Sequence, residues 1–276
     1  MKFGVSYNTA VYDVDPDAMI AVARHAEDYG FESFYVPEHI ALYLGAALGP
    51  QAIPPDLPIA DPLECLSFIA AATERILLGT GVLLLPYHNP VVLAKRLSTL
   101  YVLSKGRMRL LTVGVGSLPG EAAAVGADFS TRGRRADEAI DVLRLLWDGD
   151  ENGVSFDGEF FSFTRLCSFP KPLGRLPIHV GGSSPAAARR AGLRGDGYFP
   201  GGGLTDQERA GQGQQGVADR VGHVVAQRRN LAPGRVLQGL QGCRGHAGPG
   251  AGPEQYARVQ RRKETSANQQ SHRVRH

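Results

Sequence analysis

The chain has 276 residues, of which 43% are apolar, and a net charge of +3, enough to bury a sizeable core in one large barrel or two smaller domains. Its longest apolar run, Ile76 to Pro86, contains two glycines and is far short of the roughly 20 residues of a spanning helix, so no membrane association is expected. Cys65, Cys167 and Cys243 lie far apart without a Cys-x-x-Cys pair, which argues against a disulfide framework or a zinc knuckle and leaves no metal site in prospect.

Met1 to Val5 leads to Asn8 and Asp13 rather than to a hydrophobic signal core, which makes a cytoplasmic protein the expectation. Lys2 to Tyr7 reads as a short strand. Asp15-Pro16 is an N-cap with proline at the first helical position, and the helix it opens runs through Met19, Ala23 and Ala26 to Gly30. Phe31 to Val36 is the next strand and closes on Pro37-Glu38-His39. From Ile40 to Ala60, prolines 50, 54, 55 and 58 mark a long loop of the kind that covers a site. Asp61-Pro62-Leu63-Glu64 is a capping box, predicting a helix to about Glu74. Ile76 to Leu85 is a buried strand interrupted by glycines, where a bulge is expected. Asn89-Pro90 opens a helix that stops at Gly106, and Arg109 to Val115 is a strand ending in Gly114-Val115-Gly116-Ser117.

After Ser117 the rhythm breaks. A helix follows Thr131, with Ala139, Ile140, Leu143, Leu146 and Trp147 on one face, and Val154 to Phe163 reads as a hairpin with Asp157-Gly158 at its turn. Residues from about 117 to 176 are thus an excursion. The strand-helix-strand order resumes at Pro177: a strand, the turn Gly181-Gly182-Ser183-Ser184, a helix from Pro185, and a return through Gly195-Asp196-Gly197. The two glycines admit close approach and Ser184 is an N-cap, so the free N–H groups and positive end of that helix form a seat for an anion. A tight turn that binds nothing has the same pattern.

Six strands joined by crossovers imply a parallel sheet in an α/β fold. An open doubly wound sheet and a closed TIM (β/α)8 barrel both fit. The barrel is favoured because marked turns follow several strands, at Pro37-Glu38-His39, Pro86 to Asn89, Gly114 to Gly116 and Gly181-Gly182, and a barrel gathers them at one mouth. The Gly-x-Gly here also lacks the further glycine and downstream acid of a dinucleotide fingerprint.

These motifs, with Gly79 to Leu83, the Arg132-Gly-Arg-Arg-Ala-Asp-Glu helix with Trp147, and Gly195-Asp196-Gly197, resemble in content and order the bacterial luciferase-like superfamily. The nearest branch is that of deazaflavin-dependent oxidoreductases using coenzyme F420, and the resemblance covers about residues 1–209. It implies a (β/α)8-type barrel with an insertion after the fourth strand and a ring cofactor at the mouth, F420 with FMN as the alternative. It implies hydride transfer to or from a small organic substrate, with monooxygenation open if the cofactor is FMN. His39 matches a histidine near the ring that moves a proton. Thr80 and Gly81 match a bulge with a non-prolyl cis peptide behind the ring. Val115 and Gly116 match a backbone contact to the cofactor, and Gly181, Gly182 and Ser183, followed by the Ser184 cap, match its phosphate loop. Where the sugar-phosphate dehydrogenase branch carries an acid, this chain has Ser117, and Glu121 is a loose candidate for that role.

A histidine suits proton transfer near neutral pH beside a hydride carrier. His25, in mid-helix, and His88, in a turn, read as structural, and His179 inside a strand is open. Glu38 and Asn89 are candidates for contacts at the mouth, against a solvated loop acid and a plain N-cap. Arg132, Arg134 and Arg135 suit the steering of a polyanionic cofactor tail or a solvated helix start equally well. Tyr43 and Tyr87 are candidates for the substrate pocket or for packing.

Residues 1–209 hold 19 basic and 24 acidic residues, a balance of −5, whereas 210–276 hold 11 and 3, a balance of +8. A complete barrel needs two further strand-helix units after Phe199, and only Val221 to Ala226 and Val236 to Leu240 resemble strands. Strands seven and eight are therefore not recognisable, and the Gly-, Arg- and Gln-rich composition is that of a segment too poor in apolar surface to offset its ordering entropy. Two readings follow: a disordered basic arm, with nucleic acid not the expected partner, or, preferred here, a reading frame that shifts near Ala210. The expected function is accordingly a deazaflavin- or flavin-dependent oxidoreductase, the alternative a non-catalytic product of a frameshifted gene, and a homodimer is expected if the barrel is complete.

Overall fold

The computed structural model describes residues 2–201 together with 205, 207, 208, 210 and 211. The expectations for 212–276, including both strand-like stretches, lie outside the described residues. In chain order the elements are β1 (Gly4–Ser6), α1 (Thr9–Tyr12), α2 (Pro16–Asp28), β2 (Ser33–Val36), β3 (Ala47–Leu48), β4 (Gln51–Ala52), α3 (Pro62–Ala72), β5 (Leu77–Thr80) and β6 (Leu83–Leu84). A 3-10 turn (Leu85–Tyr87), α4 (Pro90–Leu103), β7 (Met108–Gly114), α5 (Pro119–Ala124), α6 (Arg132–Asp148), β8 (Val154–Asp157), β9 (Ser162–Leu166), β10 (Ile178–Gly182), α7 (Pro185–Arg194) and β11 (Gly197–Pro200) complete the order.

The helices start where local chemistry dictates. Asp15, Asp61, Asn89 and Ser184 each turn a side-chain oxygen to a first-turn N–H just ahead of a proline. Thr205 and Glu208 form a reciprocal capping box, with Thr205 N–H donating to Glu208 at 2.7 Å and Glu208 N–H to the Thr205 hydroxyl at 3.2 Å.

The main sheet runs β1-β2-β5-β7-β10-β11, parallel throughout, with β6 pairing β7 past the end of β5. Spatial order follows chain order without reversal, so the sheet winds in one direction, as a (β/α)8 barrel wall does and a doubly wound sheet does not. The described residues supply six of the barrel's strand positions and so form an incomplete barrel. Phe34, Leu66, Ile69, Leu78, Leu97, Met108, Ile140 and Leu143 are wholly buried between this wall and its helices. Arg107 is buried as well, because its guanidinium donates to the carbonyls of Ala70, Thr73, Ile76 and Ser104.

Local reading failed at several points. The 40–60 loop carries a two-residue ribbon, with Ala47 opposite Ala52. The hairpin closes through Gly158 to Phe161 rather than an Asp-Gly pair: Asp157 stands opposite Ser162, and Gly158 N–H donates to Phe161 O at 3.0 Å. Glu138 on α6 imposes the wider loop by accepting the N–H groups of Glu159, Phe160 and Phe161. The short helices α1 and α5 carry no strong periodic signal and were not expected.

Candidate active site

A cavity of about 880 Å³ opens at the carboxyl ends of the parallel strands. Asn8 follows β1; Pro37, Glu38 and His39 follow β2; Gly81, Val82 and Leu84 come from the β5–β6 break; Gly114 to Ser117 end β7. Gly181 to Ser184 end β10, Arg132 and Gly133 start α6, and Ala187 and Arg190 belong to the first two turns of α7. Of the residues singled out from the sequence, Glu38, His39, Gly81, Val115, Gly116, Gly181, Gly182, Ser183 and Ser184 meet on this one surface.

Thr80 and Asn89 do not. The Thr80 hydroxyl donates to Thr112 O at 2.7 Å and accepts from Thr112 N–H at 3.0 Å, so its polarity is spent on clamping β5 to β7. Asn89 is exposed and caps α4. Tyr43 and Tyr87 do not line the cavity either: the Tyr43 ring packs against Gly120, and Tyr87 is buried with its hydroxyl directed to Leu118 O. Burial, with Glu121 next in importance, raises the Tyr87 pKa above its ordinary value. The His25 ring lies tilted against that of Tyr29 at the end of α2, and His179 lies across Gly197 of the adjacent strand.

The break between β5 and β6 contains a cis peptide, at Gly81–Val82. Gly79 is glycine because a Cβ there would stand 2.6 Å from the Tyr35 ring. Tyr35 is packed so closely that burial pushes its pKa to about 12. Gly81 N–H donates to Val36 O, which ties the break to the strand that delivers Glu38 and His39.

Those two neighbours face different partners. Glu38 is 4% exposed, accepts from Leu84 N–H at 2.6 Å and lies 3.0 Å from His88 Nε2. His39 Nδ1 lies 3.1 Å from Glu121, which is wholly buried on α5 and also accepts the N–H of Ile40 at 2.6 Å. An ionised carboxylate only accepts, so Nδ1 carries the hydrogen and Nε2 is the ring atom left to exchange a proton. Glu121 does not line the cavity; it orients the histidine that does. Glu121, a loose candidate in the sequence for the family's acid, thus stands behind His39 and not in the cavity, and at 82 residues' separation nothing in the spacing pointed to that pairing.

At the far end, Gly182 has φ +133° and Gly181 approaches Val82 so closely that a Cβ would sit 2.7 Å from its methyl group. Ser184 caps α7 by accepting from Ala187 N–H at 3.2 Å. These features leave the backbone of Gly181 and Gly182 unobstructed and a positive helix end facing the cavity. Gly116, at φ +77°, forms the wall between the two ends. Among the described residues no group of three or more His, Cys, Asp and Glu side chains is arranged to hold a metal ion, and no helix is long and apolar enough to cross a membrane.

The luciferase-like monooxygenase family model matches residues 1–229, running past the change of composition at Ala210. An uncharacterized protein from Mycobacterium tuberculosis is 33% identical over 195 residues, covering 68% of this chain and 66% of that protein. An F420-dependent glucose-6-phosphate dehydrogenase from Nocardia farcinica is 31% identical over 200 residues, covering 71% of this chain and 56% of that one. The chain thus spans less than two thirds of the length of either relative. A solved monooxygenase from Streptomyces bottropensis is 25% identical with a TM-score of 0.66, covering 78% of this chain and 64% of that one.

Proposed function

The chain belongs to the luciferase-like monooxygenase family, whose members are F420- or flavin-dependent oxidoreductases and monooxygenases, and from that premise we propose that it transfers a hydride between a deazaflavin ring and a small organic substrate. The observation that carries this reading is the His39–Glu121 pair, set at the mouth of the same cavity as the Gly181 to Ser184 turn.

The residues present fit such a cofactor. The glycine turn, the α7 N-terminus and the Arg132 guanidinium suit its anionic end, and the backbone of Val115 and Gly116 together with Val82 suits the flat ring. When bound, coenzyme F420 supplies two-electron hydride chemistry, and FMN in its place would also allow oxygen chemistry. The protein's own residues do the rest. Glu121 holds Nδ1–H and fixes the ring plane of His39, leaving Nε2 to give or take the proton that accompanies the hydride. Glu38 steadies the β5–β6 break through Leu84 N–H. Proximity between ring and substrate supplies much of the rate.

Fluorescence titration with F420 and, separately, with FMN tests the reading. Saturable binding of F420 tighter than FMN supports it, tighter FMN moves it to the flavin branch, and binding of neither defeats it. The change of composition at Ala210 favours a second reading, an inactive product of a gene whose frame shifts near codon 210. A family-like continuation in another frame of the nucleotide sequence supports that alternative, and an intact frame removes it.

A further inference from the structure

We propose that Arg132 binds the anionic tail that a deazaflavin cofactor carries beyond its phosphate, and so gives the site its preference for F420 over FMN. The inference rests on the cofactor reading above. F420 continues past the phosphate into a chain of carboxylates, whereas FMN ends at the phosphate. The sequence offers three arginines at the start of α6, and the structure separates them. Arg134 is exposed and paired with Glu159 at 2.6 Å. Arg135 donates through Nε to Pro86 O at 2.8 Å and lies over the Phe161 ring. On α7, Arg190 borders the cavity but is neutralised by Asp137 at 2.6 Å and also donates to Gly133 O at 3.0 Å.

Arg132 differs from all three. It lines the cavity, its guanidinium sits 3.7 Å above the Phe129 ring, and Nη1 donates to Phe129 O at 2.6 Å. Its Nε is buried without a hydrogen-bond partner, and among the described residues Arg132 makes no ion pair. Stacking on the ring holds the planar fork in one orientation, which lowers the cost of ordering it on a ligand. The Arg190–Gly133 bond sets the start of α6 beside that of α7, so Arg132 borders the phosphate seat instead of filling it. An anion leaving that seat meets one uncompensated guanidinium, and α6 adds an N-terminus at which Thr131 makes no side-chain cap.

The test compares the intact chain with Arg132→Gln and with Arg134→Gln, which removes an equal charge from a solvated pair. Each is titrated by fluorescence with F420, with FMN, and with the phosphate-free deazaflavin nucleoside. Arg132→Gln is expected to weaken F420 about tenfold, the loss of one charge-assisted contact worth about 1.4 kcal/mol, and to change FMN and the nucleoside less than about twofold. Arg134→Gln is expected to leave all three unchanged. The F420 affinity of the intact chain should fall more steeply with NaCl than that of Arg132→Gln. Unchanged F420 binding by Arg132→Gln overturns the inference while leaving the proposed function standing. Equal weakening of F420 and FMN also overturns it, by assigning Arg132 to the phosphate. Binding of neither cofactor by the intact chain overturns both.

Discussion

Glu121 is wholly buried, and its partners explain how a carboxyl group is tolerated there. A carboxylate taken from water needs donors in place of hydration, and the Ile40 N–H and His39 Nδ1–H supply them. Replacing it with alanine strands these donors and the longer contact from Ala41 N–H at 3.4 Å. Glu121→Ala is expected to cost about 3 kcal/mol and lower the melting temperature by about 6 to 10 °C, whereas Glu121→Gln, which keeps one acceptor oxygen, should cost less than half as much. Indistinguishable melting curves for the alanine variant and the parent would show that the pair is not formed in solution. Gly116 is constrained in another way. At φ +77° a side chain is disfavoured, and a Cβ there would stand 2.2 Å from the Tyr87 hydroxyl. Gly116→Ala therefore combines backbone strain with displacement of a buried ring. It should lose about 2 kcal/mol or more by urea unfolding, and cofactor affinity with it. Full stability in that variant would contradict the close approach of Tyr87.

Between elements, Asp196 joins α7 to β11 and anchors the start of β10. It accepts from Ile178 N–H at 2.9 Å and from Arg144 at 2.8 Å, and it pairs with Arg175. Burial raises its pKa, but the hydrogen bonds from Arg144 and Ile178 and both guanidinium charges outweigh that and hold it below the usual carboxylate value. A depressed carboxylate contributes stability that is present above its unfolded pKa of about 3.9 and is lost as pH falls through its native value. Asp196→Asn is therefore expected to cost about 1 to 3 kcal/mol at neutral pH, and the gap to the parent should narrow below about pH 4. Urea midpoints at the two pH values measure this, and a constant gap would remove Asp196 from the acid response. The same contrast between local and distant causes explains what was legible. The caps at Asp15, Asp61, Asn89 and Ser184 were readable because oxygen donor and proline adjoin in the chain, and the broken strand at 76–85 was readable from its glycines. The hairpin loop set by Glu138, the clamp that takes Thr80 away from the cavity and the pairing of Glu121 with His39 were not. Each depends on a partner more than 20 residues away, and no periodicity records such meetings.

At the scale of the molecule, the barrel wall was legible because each crossover adds the next strand on the same side, and several strand ends carry marked turns. That winding leaves the strands unequal. Among the described residues β5 and β7 have neighbours on both sides, whereas β1 pairs only with β2 and β11 only with β10. Exchange from a central strand requires opening close to the global free energy, while an edge strand opens at lower cost. Hydrogen exchange followed by mass spectrometry should therefore be slowest across Leu111 to Val113 and faster at Val5 and at Tyr198. Equal protection of all three would mean that both edges are covered and the barrel is closed. Cofactor binding should act unevenly on this gradient. An anion seated at the β10–α7 turn lends stability to the weakest side of the wall, because Tyr198 of β11 donates to Gly182 O at 2.7 Å and so shares that turn. F420 is expected to slow exchange over Gly182 to Ala187 and in β11 while leaving α2, remote from the cavity lining, unchanged. Slowing confined to the β2 end would place the anion elsewhere and detach the phosphate seat from the turn at Gly181 to Ser184.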